Sequence, residues 1–257
     1  VATGRLVQAA AAYNIVPVTL ELGGKSPQLF FEDANLENAL PFLVNAGIQN
    51  GGQTCSASSR ILVHRSRYDE VIDRMSKKYK ELIVRPAIED GALGPLISER
   101  QKSIVEDFIS KGQNLNLVAQ GKIDGKAPEK GHYVAPHLFA DVSDDHILAK
   151  DEIFGPVQVI MPFDTEEEAI KIANGTDYGL VASIWTNDGA RQMRLAKKLK
   201  SGQVFINNYG AGGGGGAGGA GANGTGPAGG AGGSTVPNAI LGPASNYAGP
   251  KIALGTV

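Results

Sequence analysis

Glu21 and Cys55 lie 34 positions apart, one in Leu20-Glu21-Leu22-Gly23-Gly24-Lys25-Ser26-Pro27 and the other in Gly51-Gly52-Gln53-Thr54-Cys55-Ser56-Ala57. Together they propose a chemistry. A thiol nucleophile needs a base, first to take its proton and later to activate the water that releases its acyl group, and one carboxylate can do both. Taken singly, each residue has a plainer reading. A solitary cysteine is commonly an inert, buried small hydrophobe, and a glutamate at the end of an apolar run is commonly a solvated strand end. The surroundings of Cys55 favour chemistry: Gly, Gln, Thr, Ser and Ala make a poor core but a good loop, where backbone N–H groups can surround an oxyanion. After Glu21, Gly23 and Gly24 permit close approach of the backbone to a ligand.

The elements that must position this pair alternate short β-rich runs with amphipathic helices, the pattern of an α/β sheet. Gly4 to Asn14 reads as a helix; Val16 to Leu22 and Ser26 to Phe31 read as strands. Leu36, Leu40, Leu43, Val44 and Gly47 share one helical face, and that helix ends at Asn50-Gly51-Gly52, delivering the chain to Cys55. Ser59 to His64 is a strand, and Val71, Ile72, Met75, Tyr79 and Leu82 form a helical core stripe. Ser98 with Gln101 predicts a capping box for a helix that stops at Gly112, and Asp164 with Glu167 predicts a similar start for a helix through Ile170 to Asn174-Gly175. Pro156 to Phe163, Leu180 to Trp185 and Gln203 to Asn207 read as strands, the last reached by a helix carrying Met193, Leu195, Ala196 and Leu199. Such crossovers favour a mostly parallel sheet covered on both faces, with ligands at the carboxyl ends of its strands.

Composition bounds the rest. A chain of 257 residues, 42% of them hydrophobic, can bury a real core, and 24 basic against 26 acidic residues give no electrostatic case for nucleic acid or an anionic membrane surface. A small-molecule substrate is the expectation, with homo-oligomerisation left open. One cysteine excludes an internal disulfide and suits the cytoplasm. No apolar run approaches the roughly 18 residues of a membrane span. His64, His132, His137 and His146 lack ligand spacing, so no metal site is expected. Beyond Tyr209 the composition breaks: from Gly210 to Gly233 nearly every residue is glycine or alanine, which predicts an unpacked tail over 210–257. The pattern at Gly210, Gly212 and Gly215 that mimics a nucleotide-binding loop is read as a product of low complexity.

Three motifs, in order and in spacing, resemble the catalytic region of the NAD(P)-dependent aldehyde dehydrogenase superfamily: the run around Glu21, Gly-Gln-Thr-Cys-Ser-Ala around Cys55, and Glu152-Ile153-Phe154-Gly155-Pro156-Val157. Tyr178-Gly179-Leu180 and Gly202 to Asn207 fit the same pattern, so the resemblance covers about residues 1–209. It implies an aldehyde-dehydrogenase-like catalytic domain over 23–209, preceded by a remnant of a cofactor-binding domain over 1–22. It implies a mechanism in which Cys55 attacks an aldehyde, the thiohemiacetal gives hydride to the nicotinamide, and Glu21 activates the water that cleaves the resulting thioester. Glu152 would then bind the nicotinamide ribose, Phe154 would pack near the nicotinamide, and Gly23 would admit the cofactor. The family's other cofactor-binding residues and its oxyanion asparagine would lie upstream of Val1, which makes the chain a fragment expected to hold NAD(P) weakly. An ester, already at the acyl oxidation level, would need no hydride acceptor. Cysteine-dependent ester hydrolysis is therefore the alternative activity, and an inactive truncated module the second alternative.

Overall fold

In a computed structural model, described over residues 1–210, the apolar runs become strands wherever a neighbouring run supplies the ladder. In chain order the first half comprises α1 (Ala2–Tyr13), β1 (Pro27–Phe30), α2 (Leu36–Ile48), β2 (Arg60–His64), α3 (Tyr68–Glu81), β3 (Ile83–Val84) and α4 (Glu99–Lys111). The second half adds β4 (Asn116–Gln120), β5 (Lys122–Ile123), β6 (His137–Ala140), α5 (Ile147–Lys150), β7 (Val157–Phe163), α6 (Glu166–Ala173), β8 (Val181–Trp185), α7 (Gly189–Lys198) and β9 (Gln203–Ile206). Seven strands form one sheet in the order β4-β6-β7-β2-β1-β8-β9, and only the edge pair of β4 with β6 is antiparallel. The expected fold class, a mostly parallel and doubly covered α/β sheet, is the one observed. Alternate residues of the central strands feed two cores. Leu29, Leu62, Val159 and Ile184 pack under α4 to α7, while Phe30, Ile61, Ile160 and Trp185 pack under α2 and α3. The expected tail, and the glycine pattern beyond Gly210, lie outside the described residues. Among the described residues, no helix is long and apolar enough to cross a membrane.

Four local expectations are corrected. Val16 to Leu22 forms no strand: Ile15 and Val16 are exposed, and no other run in the described chain offers this segment a ladder. Helix α1 rests on it instead, through Gly4 against Leu22 and Leu20. The cap of α6 is Thr165, whose hydroxyl accepts from the Glu168 N–H at 3.2 Å, and Asp164 is drawn into an ion pair with Arg65. The capping box of α4 is half made. Ser98 Oγ accepts from the Gln101 N–H, but the Gln101 amide points away, toward the carbonyls of Ile153 and Phe154. Finally, β4 and β6, absent from the expectation, extend the sheet; β6 is a buried four-residue run too short to announce itself by alternation.

Two buried glutamines fix α2 over the sheet. Gln28 accepts from Trp185 Nε1 at 2.9 Å and donates to the Phe42 carbonyl at 3.1 Å. Gln158 accepts from the Tyr79 hydroxyl and donates to the carbonyls of Leu43 and Ser58, tying strand, helix and the loop after Cys55 together. Gly47 makes this possible, because a Cβ there would lie 2.1 Å from the Gln158 side chain. Replacing Gln158 by alanine leaves one donor and two acceptors unpaired in the interior, so it should cost about 2–4 kcal/mol, read as a lower urea midpoint at unchanged slope. A Gln158→Leu, Tyr79→Phe double variant, which removes the phenol together with its acceptor, should recover part of that loss.

Candidate active site

The thiol loop is shaped by three successive left-handed residues. Asn50, Gly51 and Gly52 have φ of 53°, 65° and 74°, a turn that reverses the chain out of α2 and that two glycines make inexpensive. Asn50 and Gln53 exchange side-chain-to-backbone hydrogen bonds across the turn, and Gln53 Oε1 accepts from the Ile97 N–H at 2.9 Å, anchoring the loop to the segment ahead of α4. Cys55 follows in a turn closed by the Ala57 N–H on the Thr54 carbonyl, and its side chain is partly exposed.

Close approach brings the other two motifs to this loop. A Cβ on Gly24 would lie 2.2 Å from the Cys55 carbonyl oxygen, and a Cβ on Gly23 would lie 2.0 Å from Glu152 Oε2. The Gly24 N–H donates to Glu152 Oε1 at 3.0 Å. Gly23, expected to admit a cofactor, thus makes room in the structure for the Glu152 carboxylate. Glu152 is half-buried, with its backbone N–H against the Tyr178 hydroxyl. Phe154 is exposed with a left-handed φ of 55°, a strained setting for an aromatic residue that the Gln101 amide holds by its bonds to the carbonyls of Ile153 and Phe154, at 3.2 and 3.0 Å. Glu21 is exposed, on the irregular segment leading to the two glycines.

All of these groups sit where the chain enters β1, β2 and β7, at the amino edge of the parallel strands. That corrects the expectation of a site at the carboxyl ends. Along that opposite edge, Asp33 is occupied by the Thr186 hydroxyl, the Asn187 and Asp188 N–H groups and the Arg191 guanidinium.

Electrostatics link the three motifs. Burial pushes the Cys55 thiol above its ordinary value, the Glu21 carboxylate pushes it further, the Ser56 N–H pulls it back, and Glu152 pushes again. The resting group is a thiol, so the base must be supplied by a neighbour. Burial also raises Glu152, against the pull of the Gly24 N–H and the Lys25 ammonium. Beneath this lie two cations that sequence reasoning passed over. Arg60, the first residue of β2, is buried and donates to the Lys25 carbonyl at 2.9 Å and to the Ile172 and Ala173 carbonyls at the end of α6, at 2.8 and 2.7 Å. Lys25 is 2% exposed, and its ammonium has no hydrogen-bond partner among the described residues. Burial and the adjacent Arg60 push it down to about 7, while Asp151 and Glu152 pull it back. Nothing in a lone lysine between glycine and serine signals this.

The histidines take structural partners: His64 with Ser66, His132 with Glu99, His137 with the Ala135 carbonyl, and His146 as the cap of α5. Among the described residues, no group of three or more His, Cys, Asp or Glu is placed to hold a metal ion.

A family model for the aldehyde dehydrogenase family matches residues 1–236. The chain belongs to the aldehyde dehydrogenase family. The match runs past Tyr209, where the motif resemblance stops. A Burkholderia cenocepacia crystal structure, of a protein assigned as an aldehyde dehydrogenase, is 55% identical with a TM-score of 0.80, over 81% of this chain and 44% of that one. The NAD+ complex of an aldehyde dehydrogenase from Bacillus cereus is 41% identical with a TM-score of 0.75, over 81% of this chain and 42% of that one. Betaine aldehyde dehydrogenase of Rhizobium johnstonii is 38% identical over 212 residues, 81% of this chain and 44% of the relative. The chain therefore spans less than half the length of these family members.

Two outcomes follow from the charges. Removing the charge that opposes thiolate formation, by Glu21→Gln, should lower the Cys55 midpoint and speed alkylation by iodoacetamide near pH 7.5; an unchanged midpoint would show that the Glu21 charge does not reach the sulfur. Because the fold lowers Lys25 from its ordinary value toward about 7, the unfolded chain holds a proton that the folded chain lacks between that value and about 10.5. Stability should accordingly rise with pH across that window, with a Lys25 contribution on the order of 1 kcal/mol per pH unit, and Lys25→Met should remove that slope in urea titrations.

Proposed function

We propose that the chain performs thiol-dependent acyl chemistry at Cys55, with Glu21 as its base, and that this chemistry serves the oxidation of an aldehyde to a carboxylic acid. One observation carries the reading: the two glycines after Glu21 lie against both other motifs, Gly24 on the carbonyl of the partly exposed Cys55 and its N–H on Glu152. Glu21 accepts the Cys55 proton as the sulfur forms a C–S bond to the carbonyl carbon, and the backbone N–H groups of the loop face the oxygen that gains charge. Exposed Glu21 passes that proton to solvent; at the thioester stage it takes a proton from water as the water oxygen bonds to the acyl carbon, the C–S bond breaks, and Glu21 returns this second proton to the leaving sulfur. The exposure of Glu21 gives that water a route in. The residues present fit the nicotinamide end of NAD(P): Glu152, held by Gly24 with one carboxylate oxygen left over, would bind the ribose hydroxyls, and Phe154 offers an exposed ring face. When bound, that cofactor supplies the hydride acceptor.

For this chain by itself, hydrolysis of an ester is the reaction we favour, with weak NAD(P) binding. The thiol displaces the alcohol to give the same thioester, and water then yields the acid and the free thiol. Cys55 and Glu21 are the only groups this sequence of steps requires.

The test is to supply 4-nitrophenyl acetate and, separately, an aldehyde with NAD. We expect ester turnover that Cys55→Ala abolishes and an acetyl adduct on Cys55 by intact mass. In Glu21→Gln the adduct should persist and turnover should fall about a hundredfold. NADH formation would extend the reading to the full dehydrogenase. Equal turnover by Cys55→Ala would overturn the role of Cys55, and silence with both the ester and the aldehyde would leave an inactive module.

A further inference from the structure

The chain leaving β9 does something that neither the motifs nor the proposed chemistry uses. Asn207 turns with a left-handed φ of 49° and exchanges hydrogen bonds with the backbone of Thr186, and the Ser183 hydroxyl holds the Asn208 carbonyl at 2.7 Å. These anchors send Tyr209 inward. It is 5% exposed, packed on Phe205 with ring centroids 6.0 Å apart and clustered with Ala46 and Val181. Its hydroxyl donates to the carbonyl of Ser56, the residue next to the thiol.

We propose that Tyr209 is a positioning residue for Cys55, fixing through its phenol O–H the carbonyl of Ser56 and with it the residue that follows the thiol. This deepens the reading of Cys55 as nucleophile and rests on it. Three contacts make the loop rigid around Ser56. The Cys55 carbonyl abuts the α-carbon of Gly24, the Ser58 N–H donates to the Ala46 carbonyl at 2.9 Å, and Tyr209 holds the carbonyl of Ser56 between them. With Gly24 against the Cys55 carbonyl and Tyr209 on the Ser56 carbonyl, the Cys55–Ser56 peptide is held from both ends, and its N–H favours the thiolate against the charges of Glu21 and Glu152. Burial keeps the phenol protonated, against the pull of the Ser26 and Ser58 hydroxyls beside it, so it is always available as a donor. Without the phenol the Ser56 carbonyl loses its interior donor and the loop must relax to find another.

The experiment is the pH profile of Cys55 alkylation by iodoacetamide, followed by intact mass, in the full chain and in Tyr209→Phe and Phe205→Leu. Tyr209→Phe keeps the ring and removes only the donor. We expect its far-ultraviolet dichroism to match the parent, its midpoint to move up in pH, and its alkylation at pH 8 to slow by about threefold. Phe205→Leu, which disturbs the same ring contact and leaves the O–H in place, should keep the parent midpoint. An unchanged midpoint in Tyr209→Phe, or an equal shift in Phe205→Leu, would overturn the proposal and leave Tyr209 a packing residue. The acetyl adduct on Cys55 of the unaltered chain is scored separately: its absence removes the nucleophile reading, whereas the Tyr209→Phe profile speaks to positioning alone.

Discussion

Two neighbouring α-carbons without side chains hold the site together. Gly23 stands where the Glu152 carboxylate needs space, Gly24 stands where the Cys55 carbonyl needs it, and the N–H between them ties the carboxylate down. A methyl group at Gly24 would overlap the Cys55 backbone outright and push a segment away, and one at Gly23 would turn the Glu152 carboxylate out of its place. Gly52 repeats the device between the other two motifs, since a Cβ there would sit 2.1 Å from the Gly155 carbonyl oxygen. The thiol loop is thus packed backbone on backbone against both other stretches, which brings their charged side chains to one place.

Around this contact the fold behaves as a set of bolts. Arg60 spends its donors on three carbonyls, one of them that of Lys25, and so orders the segment carrying Glu21 from below while closing the end of α6. Gln158 does the same for the far side of the thiol loop through Ser58, and Gln101 for Phe154. All three are long polar side chains whose donors end on backbone carbonyls. Such bonds carry directional information that apolar contacts lack, and they are used where the geometry of a loop matters more than its burial.

Much of this was legible in the residues. The helices announced themselves by their stripes, and the central strands by dense β-branched and aromatic runs, because burial on both faces leaves no polar interruption. Glu21, Cys55 and Glu152 were readable as motifs, and the structure brings them to one loop. What failed did so for physical reasons. Val16 to Leu22 has the composition of a strand, but a strand exists only as half of a pair. Gln101 has the spacing of a cap, yet its amide NH2 donates to two carbonyls ahead of β7, which turns the side chain away from the Ser98 N–H that a capping box would have it accept from. The depth of Lys25 is a property of tertiary packing with no local signature. The general tendency for ligands to collect at the carboxyl ends of parallel strands misplaced the site, because here the functional groups ride on segments entering the sheet.

That last feature sets the polarity of the cleft. In crossover units the helices run against the strands, so the rim from which the strands depart is the rim at which helices finish, presenting the negative ends of their dipoles. The thiol loop springs from the finish of α2, and Arg60 sits against the finish of α6. Glu21 and Glu152 add to that negative field, and Arg60 and Lys25 beneath them offset part of it. The field that keeps the proton on Cys55 is therefore partly a product of strand direction, present whatever side chains line the rim.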